Sequence, residues 1–176
     1  MPKIVDHEAY RAELAAGAIQ VFRRHGFHGL GMRKIAEELG VSKGTLYHYF
    51  PSKKALFEAC SAVVTEFDFD ALPAGASASV RFEALVAVAL QLDADFRGEL
   101  SLLVDYVRPL SQKDVRVNPL LRRALGAFED AVAKIVGEEQ ASAALRQLLG
   151  ILVMRIFDGG QSDFETLRPF CEDKAQ

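Results

Sequence analysis

Five basic side chains lie at the starts of three predicted helices, where negative charge is usually found. They are Arg33, Lys34, Lys43, Lys53 and Lys54, and no carboxylate falls in the same first turns. The partial positive charge of a helix N-terminus opposes these cations, typically by about 0.3–1 kcal/mol for each side chain. Phosphate would supply the missing anion, because N-terminal amides and neighbouring cations both bind it. The pattern therefore favours nucleic-acid binding over a helical fold with no ligand.

Two short helices joined by a tight turn carry most of these cations. The first fits Met32–Leu39, and Gly40 permits the positive φ that the turn requires. The second is capped by Ser42 and ends before Pro51, which prevents a further turn. This arrangement is typical of a helix-turn-helix. The polar face of its second helix presents Lys43, Thr45 and His48, with Tyr47 alongside.

The distribution of charge separates this segment from the rest of the chain. The 176 residues have a net charge of −3, which by itself argues against DNA binding. Residues 1–55, however, hold nine Lys and Arg against five Asp and Glu, whereas residues 56–176 hold twelve against nineteen. A basic module joined to an acidic body is therefore predicted.

The segment from Gly26 to Phe57 contains the most specific motif. It includes the run Gly44-Thr45-Leu46-Tyr47-His48-Tyr49-Phe50, followed by Lys53-Lys54-Ala55-Leu56. This segment strongly resembles the DNA-binding domain of the TetR family of bacterial transcriptional regulators. The resemblance covers about residues 8–60, roughly a third of the chain. The family pattern has Thr or Ser where this chain has Gly31, which still caps a helix well.

The resemblance implies a set of DNA contacts. Lys43 or Thr45 would reach base edges in the major groove, and Gly44 would allow close backbone approach. Tyr47 and His48 would meet phosphate or thymine methyl groups. Packing in the core is an equal alternative for Tyr49, which shares a face with Leu46. The full set is Arg33, Lys34, Ser42, Lys43, Gly44, Thr45, Tyr47, His48, Tyr49 and Lys53.

The remaining chain is predicted to be helical, giving an all-α fold with an N-terminal three-helix DNA-binding domain. The domain boundaries are 1–51 for the helix-turn-helix domain and 52–176 for a ligand-binding and dimerisation domain. Asp6, Ser52 and Asn118 are predicted helix caps, and Pro119 after Asn118 suits a first helical position. With helical spacing they predict a first helix from Asp6 to Gly26 and later helices at Ser52–Phe67, Val80–Phe96, Glu99–Leu110, Pro119–Val136 and Glu139–Asp158, with a final turn near Phe164–Phe170. A break is predicted at Arg97-Gly98.

The body gives weaker signals for a ligand and for a partner chain. Aromatic side chains could line a cavity, although aromatics at helical spacing are more often ordinary core. Arg155 interrupts an apolar stripe, and if it is partly buried it needs an anionic partner such as Asp105 or a ligand carboxylate; a helix edge exposed to water is the commoner explanation. Candidate ligand contacts are Phe67, Phe82, Phe96, Tyr106, Arg155 and Phe157. Apolar stripes on the last two long helices suggest a homodimer interface, with the alternative that one stripe is wholly internal. The interface residues would be Leu121, Leu125, Phe128, Leu145, Leu148, Leu149, Leu152 and Ile156.

These observations predict a ligand-responsive regulator, most simply a repressor that a small molecule releases from double-stranded operator DNA. A non-specific structural DNA binder is an alternative. A helical enzyme is a weaker one, because no nucleophile–base pair, metal-ligand spacing or phosphate-binding loop is present. No cofactor and no metal are predicted. Two distant cysteines and the lack of an apolar span or signal segment lead us to expect a cytoplasmic protein without membrane association.

Overall fold

The computed structural model describes residues 6–64, 72, 73 and 75–172. These residues form helices without any β-strand, which confirms the all-α prediction. The elements are α1 (His7–Gly29), α2 (Met32–Glu38), α3 (Lys43–Tyr49), α4 (Lys53–Val64), α5 (Ala78–Val107), α6 (Gln112–Val117), α7 (Pro119–Val136), α8 (Glu138–Asp158) and a 3-10 helix (Glu165–Cys171).

Four helices begin at the polar residue that the sequence predicts as a cap. The side-chain oxygens of Asp6, Ser42, Ser52 and Asn118 each accept a backbone N–H two or three residues later, at 2.9–3.3 Å. Such a bond satisfies one of the amides that a helix start leaves without an intrahelical partner. The starts of α1, α3, α4 and α7 are therefore fixed locally.

The first helix breaks at Gly26 as predicted, since its φ of 72° and ψ of 167° are not helical, and a further short helical stretch follows this kink up to Gly29. The break predicted at Arg97-Gly98 is wrong, since α5 is one helix of 30 residues; an interior glycine costs only about 1 kcal/mol. Residues 112–117, for which no helix was predicted, form α6, which Ser111 and Asp114 start with a reciprocal capping box.

The chain divides into two compact units. Unit 1 contains Met1–Glu66 and Gly98–Ala124, and unit 2 contains Phe67–Arg97 and Leu125–Gln176. Residues of α5 and of α7 therefore belong to both units. The functional division between residues 51 and 52 stays a prediction.

The core of unit 1 holds the two short helices in place. Ile35 of α2 and Leu46 of α3 are fully buried, and Phe50 closes the end of α3. The Val41 amide donates to the Ala36 carbonyl across the turn, and Gly40 there has φ 69°. Because the apolar faces of α2 and α3 are turned into this core, their polar faces are left to solvent.

Unit 2 has a separate core. Its α5, α7, α8 and 3-10 helix residues pack their apolar side chains against one another, and the most buried include Leu85, Ala89, Val132, Ala144, Leu148, Leu152 and Leu167. The helical stripes predicted for α7 and α8 supply much of this core.

Candidate nucleic-acid interface

The residues predicted to contact DNA share one property, which is that none of them is buried. We call this set the basic surface, and it consists of Arg33, Lys34, Ser42, Lys43, Gly44, Thr45, Tyr47, His48, Tyr49 and Lys53. The side chains interleaved with them on α2 and α3, Ile35, Ala36 and Leu46, are almost completely buried. Their contact with DNA stays a prediction.

The start of α3 is organised by its cap. Ser42 Oγ accepts the Thr45 amide at 2.9 Å and lies 2.8 Å from Thr45 Oγ1. Lys43 extends over the Tyr47 ring, with Nζ 5.5 Å from the ring centroid, and Tyr47 remains 41% exposed. The helix therefore presents a hydroxyl pair, an ammonium group and an aromatic ring to solvent.

The two cations at the start of α2 form ion pairs with a carboxylate of the same helix. Arg33 Nε and Lys34 Nζ each lie 3.3 Å from a carboxylate oxygen of Glu37, one turn further along the helix. Hydrogen bonds from Lys34, and then from Arg33, hold the pKa of Glu37 below its usual value. These two cations thus have a partner within the chain, although both remain well exposed.

Lys53 has a partner within unit 1 as well. Its Nζ donates to the Leu30 carbonyl at 3.0 Å and lies 4.8 Å from the centroid of the Phe27 ring. The bond joins the first turn of α4 to the segment that precedes α2. An ammonium group has three donors, so this bond leaves others for a phosphate.

Tyr49 packs partly into unit 1 and keeps the rest of its surface accessible to solvent. It is half-buried, with its ring packed edge-on against Tyr10 at 5.4 Å between centroids. Its hydroxyl oxygen lies 2.7 Å from His7 Nδ1, a residue 42 positions earlier in the chain. The sequence did not indicate His7 as part of the surface, because a contact over this distance leaves no local pattern.

The kink of α1 is held by a carboxylate from α5. Asp105 Oδ2 accepts the His28 amide at 2.9 Å, and this bond, more than any other cause, lowers the pKa of Asp105. Gly26 lies so close that a Cβ there would be 3.0 Å from the same oxygen. Next to this contact, the Phe27, Phe57 and Tyr106 rings have centroids 4.9–5.0 Å apart. Asp105 therefore fixes the backbone just before α2.

The described residues among the predicted ligand contacts differ in their surroundings. Phe82 and Phe96 pack in the unit 2 core, whereas Tyr106 is buried in unit 1 and Phe157 is 79% exposed. Phe67 lies outside the described residues. An open groove of about 330 Å³ in unit 2 is lined by other residues, namely Leu72, Pro73, Gly75, Ala76, Arg81, Lys134 and Ile135. Ligand contact by the predicted residues stays a prediction.

Arg155 has an anionic partner, but Asp105 is not that partner. Its Nε and Nη2 donate to Asp93 Oδ2 at 3.0 and 2.8 Å, and Nη1 donates to the Ser162 carbonyl. The hydrogen bond to Asp93 is the main reason that the pKa of Arg155 is raised. These three bonds leave two of the five N–H donors of the guanidinium for another acceptor.

The predicted dimer residues differ in exposure. Leu121, Leu145, Leu148 and Leu152 are buried within the single chain, so they do not lie on its surface. Phe128, Leu149 and Ile156 are partly buried, and Leu125 is 53% exposed. In addition, the large apolar side chains of Met154 and Phe157 on α8 are exposed. An interface formed by this set stays a prediction.

Both cysteines are buried. Burial raises the pKa of the Cys60 thiol to about 12, and Sγ donates to the Ala15 carbonyl at 3.2 Å. Such a thiol is a small core residue and a poor nucleophile. Among the described residues, no group of three or more His, Cys, Asp or Glu side chains is placed to hold a metal ion. No described helix is long and apolar enough to cross a membrane.

Comparison with known proteins places the basic surface in a known domain. Residues 14–60 match the family "Bacterial regulatory proteins, tetR family". The HTH-type transcriptional regulator PksA of Bacillus subtilis is 38% identical over 66 residues, which is 38% of this chain and 32% of PksA. The aligned segment thus spans about a third of that relative's length.

Two solved structures share the fold over nearly the whole chain. A TetR transcriptional regulator from Rhodococcus sp. RHA1 has a TM-score of 0.58 at 22% identity, covering 95% of each chain. The multidrug binding protein EbrR, complexed with proflavin, has a TM-score of 0.56 at 21% identity, covering 92% of this chain and 96% of EbrR. The N-terminal segment is thus similar to the tetR family of bacterial regulatory proteins, and the all-α fold of the chain is shared with solved TetR-family structures.

Proposed function

We propose that this protein is a homodimeric transcriptional regulator that binds operator DNA through α3 and is released by a small molecule. The basic surface supports this proposal most directly. Its ten residues are solvent-accessible, whereas Ile35, Ala36 and Leu46, on the apolar faces of α2 and α3, are buried. A short helix with this division of faces fits the major groove, where Lys43 and Thr45 would meet base edges.

The charges support the same proposal. The basic side chains of the first 55 residues favour phosphate, whereas residues 56–176 carry a net negative charge that opposes contact with the DNA backbone. Binding is thereby confined to the helix-turn-helix. We place its action in the cytoplasm, where the DNA of a bacterium lies.

A dimer would present two copies of α3. Two-fold symmetry places such helices about 34 Å apart, which matches one turn of DNA. Exposed Leu125, Met154 and Phe157 in unit 2 provide apolar surface for the second chain. A symmetric operator would then be read by one basic surface at each half-site.

Release by an effector would be a shift between two populations of the dimer. The fold that this chain shares with EbrR, a multidrug binding protein complexed with proflavin, supports a small molecule bound in residues 52–176. The effector would stabilise a dimer in which the two α3 helices are wrongly spaced for the operator. We place no catalytic step in this function.

A competition experiment tests the proposal. The full chain is titrated onto labelled DNA from the region beside its own gene, with excess random duplex as competitor. Specific binding that survives the competitor supports a regulator. Equal loss of binding to both DNAs would instead favour a non-specific structural DNA binder. Lys43→Ala and Thr45→Ala should each reduce the preference by about 1–3 kcal/mol, the value of one good base contact.

A further inference from the structure

One side of α1 borders the end of α3. The guanidinium carbon of Arg11 lies 5.0 Å from the centroid of the Phe50 ring, and Phe50 is the residue directly after α3. One turn earlier on α1, His7 Nδ1 lies 2.7 Å from the Tyr49 hydroxyl oxygen, and the His7 ring centroid is 6.3 Å from that of His48. This side of α1 therefore adjoins two residues of the basic surface.

Arg11 differs from the other cations of α1 and α2 in its partners. Arg23 and Arg24, the other arginines of α1, each form an ion pair with a glutamate, and the cations at the start of α2 pair with Glu37. Within the described part of the chain no such pair is found for Arg11, whose contact is the Phe50 ring. A cation over an aromatic ring is held by its charge rather than by its N–H donors, and a guanidinium has five of these. The exposed Arg11 head thus keeps donors for a partner from outside the chain.

The position of this head fits the phosphate backbone beside the major groove. The groove is about 12 Å wide and a helix with its side chains is about 10–12 Å across, so groups at the edge of an inserted helix meet the phosphates on either side. Arg11 lies at the end of α3, away from the start where Lys43 is proposed to meet base edges. The planar donors of a guanidinium also match two oxygens of one phosphate.

We propose that Arg11 is a phosphate-binding residue of the DNA interface, which therefore extends from the helix-turn-helix onto α1. The inference rests on the proposed DNA-binding function and adds a contact to it. Phosphate contacts carry no sequence information, so Arg11 raises the affinity for specific and random DNA alike. Contact with the Phe50 ring holds the guanidinium in place before DNA binds, which lowers the entropy lost on binding.

The test separates this role from the packing of Arg11 on Phe50. Arg11→Met and Arg11→Gln both remove the charge, and Met keeps an apolar chain over the ring, whereas Arg11→Lys keeps the charge. Arg123→Met is the matched control, since Arg123 is an exposed arginine of the same unit for which no DNA contact is proposed. Binding of the full chain to a labelled random duplex of about 30 base pairs is measured over a series of salt concentrations. Urea unfolding measures the stability of each variant.

The slope of log K against log salt should fall by about 1 for each protomer in Arg11→Met and Arg11→Gln, because one phosphate contact is lost. Arg11→Lys should keep the wild-type slope, as should Arg123→Met. A wild-type slope in both neutral variants would overturn the inference, as would an equal loss of slope in Arg123→Met. Either result leaves the proposed function intact, whereas a wild-type chain that binds no DNA contradicts both.

Discussion

Lys53 has contacts within the fold and is also a predicted DNA contact of the basic surface. Its bond to the Leu30 carbonyl and its position over Phe27 tie the start of α4 to the segment before α2. The ammonium group is held at a fixed place, which lowers the entropy that it would lose on meeting a phosphate. A folding contact of this kind is therefore compatible with the DNA contact that the family resemblance implies.

Replacing Lys53 should change the salt dependence of DNA binding. We expect Lys53→Ala to weaken binding to all sequences and to reduce the slope of log K against log salt by about 1, because one phosphate contact is lost. Lys54→Ala is the matched control, since Lys54 is the next residue and is exposed. A Lys53→Ala slope equal to that of the wild type would remove Lys53 from the DNA contacts.

Substitutions of Ser42, the cap of α3, can change the charge near the DNA without changing the stability of the helix. Asp and Asn cap helices about as well as Ser, so Ser42→Asp and Ser42→Asn should both keep the free energy of unfolding within about 0.5 kcal/mol of the wild type. Only Ser42→Asp places a negative charge on the basic surface, and it should weaken DNA binding far more than Ser42→Asn. Equal binding by the two variants, measured by anisotropy, would place Ser42 away from phosphate.

At the scale of elements, Asp105 links α5 to the kink of α1. Its carboxylate bonds to the backbone two residues after Gly26, at the point where the chain turns toward α2. The orientation of the helix-turn-helix thus depends on a residue about 80 positions later in the sequence. This contact gives residues 98–107 of α5 a direct role in holding the DNA-binding segment.

Two glycines with positive φ provide a comparison for this contact. Gly40→Ala should cost about 1–2 kcal/mol, because φ is 69° while the added Cβ would meet no neighbouring group within 4 Å. Gly26→Ala should cost more, since ψ there is 167°, in a region that essentially only glycine adopts, and its Cβ would lie 3.0 Å from Asp105 Oδ2. Urea unfolding measures both values. Equal costs would contradict a special constraint at Gly26.

The pH dependence of unfolding provides a second test of the Asp105 contact. The pKa of Asp105 is lowered below its usual 3.8, so its contribution to stability is present above about pH 4 and is lost as pH falls through the lowered value. Asp105→Ala should therefore lose less stability than the wild type on acidification below pH 4. The same loss in both proteins would contradict a role for this carboxylate in holding the kink.

Local signals explain which elements could be predicted. Asp6, Ser42, Ser52 and Asn118 mark helix starts because a cap acts within three residues. The break predicted at Arg97-Gly98 failed because a glycine penalty of about 1 kcal/mol is easily offset by the packing of a long helix. The sequence contains the capping box at Ser111, but a six-residue segment whose only apolar residues are Val115 and Val117 shows no helical periodicity.

Long-range contacts explain what could not be predicted at the site. The sequence indicated that Arg155 needs an anion, yet Asp93 and Asp105 are equally plausible partners until the chain is folded. The contact of His7 with Tyr49 joins residues 42 positions apart and leaves no spacing pattern. In contrast, the basic surface follows from a contiguous motif, so its residues and their exposure could be anticipated.

At the scale of the whole molecule, the proposed function requires two chains. The single chain leaves large apolar side chains on the surface of unit 2, with Leu125 at 53%, Met154 at 54% and Phe157 at 79% exposure. If these side chains form one contiguous patch, it would be a surface for the second chain. One basic surface alone would read only half of a symmetric operator.

Dimer formation should depend on Phe157. We expect the wild type to be a dimer at micromolar concentration and Phe157→Glu to be a monomer, because a buried unpaired carboxylate is costly. Leu90→Glu is the control, since Leu90 is an exposed leucine of the same unit. Light scattering after size-exclusion chromatography gives the mass. A wild-type monomer would contradict the dimer, and an intact Phe157→Glu dimer would move the interface elsewhere.

The central claim is that this chain reads DNA sequence through a pair of α3 helices. Selection of bound duplexes from a pool of random sequences tests it with no assumption about the operator sequence. We predict enrichment of a symmetric motif with half-sites about one helical turn apart, and loss of that enrichment in Lys43→Ala. Recovered sequences that are no different from the starting pool, despite tight binding, would contradict the claim.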